Sequence, residues 1–356
     1  MRIRAVHSNI MPLKARRVFR LALTIALSLM LAYALGVDMP FLAPLFVFIL
    51  GAAPKPPIAL KGLLGLLLVF SLILSIGLLL LPFLMHYPIT GLLLVFVGLF
   101  VSNFISINLG KAAAATLLTV GITMISAAGT VSFEAARAVI DALLVGVAVG
   151  VVCQWLVYPL FPEDEQQASG MPEKKADVVQ SNWLALRATL IVFPCYLVLL
   201  INPAAFMPII MKAVMLGQQT SIMNARHAGR ELLGSTLMAG LFALLIWFGL
   251  SIAPNLWMYF LWMLLAALFI SGKFYTVILS QYSPSFWQNV LITMLILLGP
   301  AVEDSANGKD VYQAFAVRMG LFIVITLYAW LALWGLEWLR CRTSSSSAES
   351  IALRAP

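Results

Sequence analysis

The stretch "AFMPIIMKAVMLGQQTS", residues 205–221, decides the fold, because it is an apolar run interrupted by Pro208 and Lys212. A second stretch of the same kind, "FLAPLFVFILGAAPKPP", occupies residues 41–57. Its apolar part, residues 41–53, would be only about 20 Å long as a helix, which is shorter than a hydrocarbon core of roughly 30 Å. The fold therefore depends on how two short, proline-bearing helices fit among longer apolar ones.

The composition of the whole chain is that of a membrane protein. Hydrophobic residues make up 62% of it and charged residues 10%, and the mean hydropathy is +1.02. Soluble domains are about 45–50% apolar and about 25% charged. The apolar runs lack the alternation of a transmembrane barrel, so helices are the expected elements. We predict an all-α polytopic protein whose first partner is the lipid bilayer.

A polar stretch near the middle, "FPEDEQQASGMPEKKADVVQSN", separates two apolar blocks of similar length. We predict a first six-helix membrane repeat at 1–160, a cytoplasmic linker at 161–182, a second six-helix repeat at 183–340 and a disordered cytoplasmic tail at 341–356. The predicted helices are 18–37, 41–53, 62–85, 89–107, 112–130, 137–160, 183–201, 205–223, 230–252, 256–272, 274–300 and 311–338.

Local features recur in the same order in both halves. Arg20 and Arg187 enter the first helix of each half, the second helix is short and bears proline, and Arg137 and Arg318 lie near the start of the sixth. This order suggests a duplication. Because six helices per half is an even number, the two repeats are predicted to be parallel.

The distribution of Lys and Arg predicts the topology. With twelve spans and both termini in the cytoplasm, 18 of the 22 basic residues lie inside. With ten spans, in which the two short helices re-enter from outside, the balance falls to 13 inside and 8 outside. The positive-inside rule favours twelve spans. The net charge of +8 is thereby explained by anchoring at helix ends, so no nucleic-acid partner is expected.

Lys212 is the first candidate for a binding site. A lysine near the centre of a membrane helix costs about 2.5–3.5 kcal/mol on insertion scales, so it usually faces the bundle interior or a cavity. Pro208, Met215 and Gln219 lie on its face of the helix, at i−4, i+3 and i+7. Interrupted helices in matching places also point to a transport site. The alternative is a lysine that snorkels outward or pairs with a carboxylate.

Further candidates lie in the last two helices. Arg318 enters the last helix at a depth similar to that of Lys212, and "QYSPSFWQNVLITM" contains Trp287, Gln288 and Asn289 near mid-membrane. Together with Lys212, Arg318 would offer a positive site for an anion, and the aromatic and amide groups would orient it. Hydrogen bonding between helices is the alternative role for the amides.

Asp141 is the candidate for proton coupling. A carboxylate inside a span can change its protonation through burial, and Arg137, four residues earlier, could influence that change. A purely structural ion pair between the two is the alternative. We expect the remaining acids near this end of the helices to be interfacial; they are Asp38, Glu303, Asp304 and Asp310.

The motifs of membrane enzymes and ATP-driven pumps are missing from the sequence. It contains no HExxH, GxGxxG or P-loop pattern, and its three cysteines show no CxxC spacing. We therefore expect no enzymatic activity, no cofactor and no metal.

The six-helix unit is marked by "RRVFRLALTIAL" at 16–27, the short second helix, "RHAGRELLGSTLMAG" at 226–240 and "VYPLFPED" at 157–164. With these features it resembles the fusaric acid resistance and aromatic acid exporter superfamily. The chain is similar to short bacterial members of unknown function that lack the large cytoplasmic domain. The resemblance implies a multi-pass protein of the bacterial inner (plasma) membrane, efflux of small organic, often aromatic, carboxylate anions, and a periplasmic adaptor of the membrane-fusion type. A homo-oligomer is left open.

Three hypotheses follow. The first is a proton-driven exporter of organic anions. The second is an anion channel, since plant malate channels resemble the same six-helix pore. The third is a non-transporting membrane scaffold in which Lys212 only pairs. Asp141→Asn should remove pH-driven flux from an exporter but not conductance from a channel, whereas an unchanged flux in Lys212→Met would favour the scaffold.

Overall fold

The computed structural model describes residues 11–52, 56–110, 112–163, 178–220, 225–306, 308 and 310–352. Over these residues the chain is helical and contains no strand. Ten helices are long and apolar enough to cross a membrane, and two shorter apolar helices accompany them, Leu42–Gly51 and Ala205–Gly217. The protein is thus a multi-pass, all-α protein by the length and composition of its helices.

Several of the membrane-length rods are built from more than one segment. A rod formed by α3 and α4 is interrupted at Leu80, and another formed by α6 and α7 contains a π-helical turn at Gly121–Ile125. The α-helices are α1 Leu13–Ala34, α2 Leu42–Gly51, α3 Leu60–Leu79, α4 Leu81–His86, α5 Pro88–Leu109, α6 Ala112–Val120, α7 Ser126–Val131, α8 Phe133–Val157, α9 Val178–Ile201, α10 Pro203–Thr220, α11 Ala225–Ile252, α12 Leu256–Phe274, α13 Pro284–Ala306 and α14 Val311–Ala352.

Three boundaries differ from the sequence-based expectations. The eleventh predicted helix does not begin at 274: α13 begins at Pro284, after a non-helical segment in which Thr276 has a φ of 57°. The backbone N–H of Phe286 is capped by the Ser283 hydroxyl, which favours a helix start there. α9 begins at Val178, inside the expected linker, of which residues 164–177 lie outside the described part. α14 continues through 341–352, where a disordered tail was expected.

Side-chain caps explain where other helices begin. Ser132 accepts a hydrogen bond from the backbone N–H of Ala135 at 3.0 Å, so α8 begins at Phe133 and not at 137 as expected. Asn255 caps α12 in the same way, accepting from Met258 at 2.8 Å. These caps satisfy N–H groups that would otherwise have no partner at the edge of the bilayer.

The two halves of the chain contact one another through corresponding helices. α1 packs against α12, and α9 packs against α5. Each short helix packs against the last helix of its own half, α2 against α8 and α10 against α14. Each also contacts the fifth rod of the other half: α2 touches α13, and α10 touches the α6–α7 rod. The short helices and the fifth rods therefore form the interior.

The outer rods present apolar side chains to their surroundings. On α3 the leucines at positions 60, 64, 68 and 72 are all exposed at a four-residue spacing. A continuous stripe of exposed leucines is unfavourable in contact with water and favourable in contact with lipid. By contrast, α13 and the α6–α7 rod are the most buried of the spanning helices. The bundle thus has a lipid-facing shell around a packed centre.

A group of charged residues holds the start of α1 to the end of α8, and we call this end of the bundle the arginine end. Arg17 and Arg20 both pair with Glu163, the latter at 2.8 Å, and Arg20 also donates to the carbonyl of Phe161 at 3.2 Å. Burial favours a raised pKa for Glu163, but its hydrogen bonds and ion pairs with both arginines outweigh burial and hold the pKa below its ordinary value. This contribution to stability is present above the ordinary pKa and is lost as the pH falls through the lowered one.

A close crossing joins α3 to the π-helical turn of the fifth rod. A Cβ added at Gly77 would overlap the carbonyl oxygen of Gly121 and lie 2.9 Å from the Cβ of Ile125. π-Turns widen a helix locally, and here the widened backbone faces a residue without a side chain. The contact between two glycines therefore sets how near α3 can come to the centre of the bundle.

We predict that Gly77→Ala destabilises the protein by about 1–3 kcal/mol, because the added methyl forces the two backbones apart. Gly65→Ala is the matched control on the same helix, since a Cβ there meets nothing within 4 Å. The control should be neutral or stabilising by about 0.5–1 kcal/mol through helix propensity. Unfolding of both purified variants in detergent measures the difference, and equal stabilities would contradict the close crossing.

Candidate functional site

Lys212 lies in the interior of the bundle on α10. Its side chain is fully buried, with a relative exposure of 0%. Pro208, one turn earlier, lies inside the same helix and removes one backbone hydrogen bond from it. Lys212 therefore lies on a helix whose backbone hydrogen bonding is already interrupted one turn earlier, at Pro208.

The ammonium of Lys212 is held by two side chains of α13. Nζ donates to Asn289 Oδ1 at 2.9 Å and to Thr293 Oγ1 at 2.6 Å. Asn289 and Thr293 are four residues apart, so they share one face of α13. Both are buried. The lysine thus connects α10 to α13 at a depth where lipid could supply no partner.

A chain of hydrogen bonds determines how the side-chain amide of Asn289 is oriented. Ser235 Oγ on α11 donates to the carbonyl of Leu232 at 3.0 Å, so its proton is already used. Asn289 Nδ2 donates to Ser235 Oγ at 2.5 Å, which turns Asn289 Oδ1 toward Lys212. The amide can accept from the lysine only because the serine holds its other side. Three helices therefore cooperate in binding one amine.

The partners of Lys212 in the described chain are neutral oxygens. The sequence left open a pairing of Lys212 with a carboxylate. The described contacts do not include such a pairing, since Nζ reaches only Asn289 and Thr293 among them. The amine is also not among the residues that line the cavities described below. Met215 lines the central cavity, and the side chain of Gln219 lies outside the described part of the chain. In this conformation the amine of Lys212 does not line that cavity, although Met215, three residues later, does.

The other candidates from the last two helices lie apart from Lys212. Trp287 donates from Nε1 to Ser280 Oγ at 2.8 Å, and Gln288 is half-buried without a contact to the lysine. Arg318 pairs with Asp304. Among the members of the predicted set whose side chains are described, Asn289 alone reaches the amine of Lys212. The combined cation site expected from Lys212 and Arg318 is therefore divided into two places.

Asp141 lies on the exposed side of α8. Its side chain is 63% exposed and that of Arg137 is 75% exposed, and the two form an i,i+4 pair at 3.7 Å. The side chain of Asp141 is therefore not buried within the bundle, and burial was the physical basis for expecting proton coupling there. The proton-coupling role of Asp141 stays a prediction.

The largest cavity, of about 680 Å³, opens between the starts of α10 and α14 and the end of α13. Its charged lining consists of Glu303, Asp304, Asp310 and Arg318. We call this end of the bundle the acidic end. Oε1 of Glu303 is buried without a hydrogen-bond partner among the described residues. Three carboxylates and one guanidinium thus surround the entrance, and one carboxylate oxygen is unsatisfied.

Two smaller cavities continue toward the arginine end. A central apolar void of about 20 Å³ shares Met211 with the acidic-end cavity. A cavity of about 280 Å³ at the arginine end shares Ile49 and Leu50 with the central void. Phe41, just before α2, lines the first cavity, and Gly51, at the end of α2, lines the last. The three cavities thus form a row between the two ends of the bundle, and neighbouring members of the row share lining residues.

Sequence reasoning missed part of this arrangement. Glu303 and Asp304 were expected to be interfacial, yet they line the largest cavity, and Asp304 is buried against Arg318. Their position just after Pro300, at the end of an apolar helix, was the available signal. Thr293 gave no signal, because hydroxyl side chains in apolar helices usually bond to their own backbone.

Comparison with known proteins gives a partial family match. Residues 17–157, which cover most of the first half, match a family described as "Protein of unknown function (DUF2955)". No curated protein and no solved structure matches the chain. The match assigns no activity, so the function has to be argued from the site itself.

We predict opposite effects on stability for substitutions of Lys212 and Asn289, the two residues that share this hydrogen bond. Lys212→Met should preserve or raise stability, because Thr293 already donates to Asn289 Oδ1 at 3.3 Å and keeps that oxygen satisfied without the lysine. Asn289→Leu should lower stability by about 1–3 kcal/mol, because the buried amine loses an acceptor.

The double variant Lys212→Met/Asn289→Leu tests the same contact, since it removes both partners. It should recover most of the loss caused by Asn289→Leu, which a double-mutant cycle of unfolding free energies measures. Additive losses would show that the hydrogen bond between the two side chains contributes nothing.

Proposed function

We propose that the chain is an efflux transporter of small organic carboxylate anions in the bacterial inner membrane, driven by the proton gradient. The observation that carries the proposal is the row of three cavities along α2 and α10. A carrier needs a site that faces one side at a time, and in this row the central void shares Met211 with the acidic-end cavity and Ile49 and Leu50 with the arginine-end cavity. The resemblance to aromatic acid exporters supports the choice of substrate.

Lys212 supports the anionic character of the substrate. Its contacts are neutral, so its positive charge is not cancelled by an adjacent carboxylate in the described chain. A buried charge of this kind is costly unless an opposite charge pairs with it or a ligand binds to it. Met211, the neighbouring residue, lines two of the cavities, so a rotation of α10 would exchange thioether for ammonium at this row of cavities. We propose that this rotation presents Lys212 to the anion.

We also propose two parallel six-helix repeats with both termini in the cytoplasm. The reciprocal packing of α1 on α12 and of α9 on α5 supports the repeat, because equivalent units would make equivalent contacts. The concentration of Arg16, Arg17 and Arg20 at one end supports its assignment to the cytoplasm. A periplasmic adaptor remains part of the proposal by resemblance, and a homo-oligomer stays open.

We predict that inverted vesicles containing the protein take up benzoate when their lumen is acid, and that Lys212→Met lowers this uptake about tenfold or more. A hydrogen bond to a charged group contributes about 1.5–3 kcal/mol, and 1.4 kcal/mol is a factor of ten. Lys61→Met is the matched control, because Lys61 is exposed at the start of α3. The membrane potential is held at zero with potassium and an ionophore.

The other hypotheses give different results in the same assay. A benzoate flux that is independent of the pH gradient but depends on an imposed voltage would indicate the anion-channel hypothesis. Full uptake by Lys212→Met means that the lysine has only a structural role. Transport of organic cations but of no carboxylate would overturn the anionic substrate.

The driving proton requires its own test, in which Asp141→Asn is compared with Glu303→Gln. We expect the Glu303 variant to lose acceleration by the pH gradient while it still exchanges external for internal benzoate. Glu303 is half-buried at a cavity and has an oxygen without a partner among the described residues, whereas Asp141 lies on the exposed side of α8 and lines none of the cavities described above. The opposite result would return the role to Asp141, and a response to pH in both variants would exclude both carboxyls.

A further inference from the structure

The cavity at the arginine end has a polar wall and an apolar wall. Arg20 and Thr24 of α1, Gln154 of α8 and Tyr158 just after α8 form the polar wall. The volume of about 280 Å³ is sufficient for a small organic molecule and is too small for a drug-sized one. The shape and size of this space favour a compact ligand with one polar group.

Gln154 provides an unused hydrogen-bond donor in this cavity. Its Nε2 is buried and has no hydrogen-bond partner among the described residues. A buried amide N–H without an acceptor costs about 1–3 kcal/mol, so such groups are rare unless something binds to them. Gly51 makes room for it, since a Cβ at that position would lie 2.9 Å from the amide nitrogen.

The charges around the cavity favour an anion. Arg20 lines it, and Arg16 and Arg17 lie on the same helix, whereas Glu163 supplies the opposing charge. At the other end of the row three carboxylates and one arginine line the cavity. The arginine-end cavity is therefore the more favourable place for a negatively charged ligand.

The apolar wall fits the body of an organic acid. Ile49 and Leu50 of α2 form one part of it, and Pro57 and Ile58 form another. The segment before α3 is held in place by Trp155, whose Nε1 donates to the carbonyl of Ile58 at 2.6 Å. Flat proline and aliphatic surfaces of this kind pack well against a small ring or chain.

We propose that this cavity is the binding site from which the transporter loads its substrate, and that it holds a monocarboxylate through Gln154 Nε2 with the apolar body against α2 and Ile58. The identification of the ligand as cargo rests on the proposed function, whereas its binding does not. Ile49 and Leu50 then separate the loaded cavity from the central void.

The test is calorimetric titration of the purified full chain with three compounds of similar shape: benzoate, the neutral benzamide and the cationic benzylammonium. We expect benzoate to bind best and benzylammonium not to bind. Gln154→Leu should weaken benzoate binding about tenfold through the lost hydrogen bond. Gln154→Glu, which has the same shape, should abolish binding by repulsion.

Gln313→Glu is the matched control, because Gln313 lines the acidic-end cavity, and it should leave benzoate binding unchanged. If the Gln154 variants do not fold, Gly51→Ala displaces the same amide and should weaken binding. Unchanged binding in the folded variants, or no benzoate binding by the wild type, overturns the site. Binding that depends on Gln154 without any vesicle uptake leaves the site standing and contradicts only the transport function.

Discussion

Every polar group inside the bundle has to find its partner within the protein, because hydrocarbon offers none. Lys212 is the most demanding case, since an ammonium needs acceptors and its side chain is fully buried. The structure meets this need with an amide that is itself held by Ser235 on a third helix. The position of α10 against α13 and α11 therefore depends on one network, and the weak helix containing Pro208 is kept in place by it.

The same constraint explains where the cavities lie. α2, with ten residues, is too short to cross a bilayer. The acidic-end cavity lies beside the starts of α2 and α10, and the arginine-end cavity lies beside the end of α2. Between them the packing is apolar and close, with a void of only about 20 Å³. Short helices and a closed centre are thus two aspects of one arrangement.

The sequence predicted the features that depend on local composition. Apolar runs gave the helices, and the rarity of a lysine in a membrane helix identified Lys212. Asn289 was a candidate because a buried amide needs a partner, although its pairing with Lys212 could not be predicted. Pairings between helices depend on how each helix is rotated, which single-sequence hydropathy does not contain. For the same reason Asp304 and Arg318 were considered separately, yet they form a pair.

The predicted helix boundaries differ from the observed ones where local capping signals compete with hydropathy. The segment 275–283 contains Tyr275, Val277 and Ile278, so it reads as the continuation of an apolar helix. Ser283 and Pro284 start a new helix instead, because a capping hydroxyl followed by proline is a strong helix start. The π-turn at Gly121–Ile125 had no signal in composition, and only its close contact with Gly77 explains it.

In the transport function proposed above, the charge asymmetry between the two end cavities would favour an anion at the arginine end over the acidic end, but unequal affinities alone cannot move a solute against its gradient. Energy must come from an ion gradient or from the membrane potential, which supplies about 2.3 kcal/mol per charge at 100 mV. With the arginine end in the cytoplasm, a potential negative inside already drives a monoanion outward. A proton is then needed only for export beyond this limit, so a coupling carboxyl has to change its exposure with the transport cycle. Glu303, at the wall of a cavity and two residues from the exposed Ser305, lies where such a change can occur.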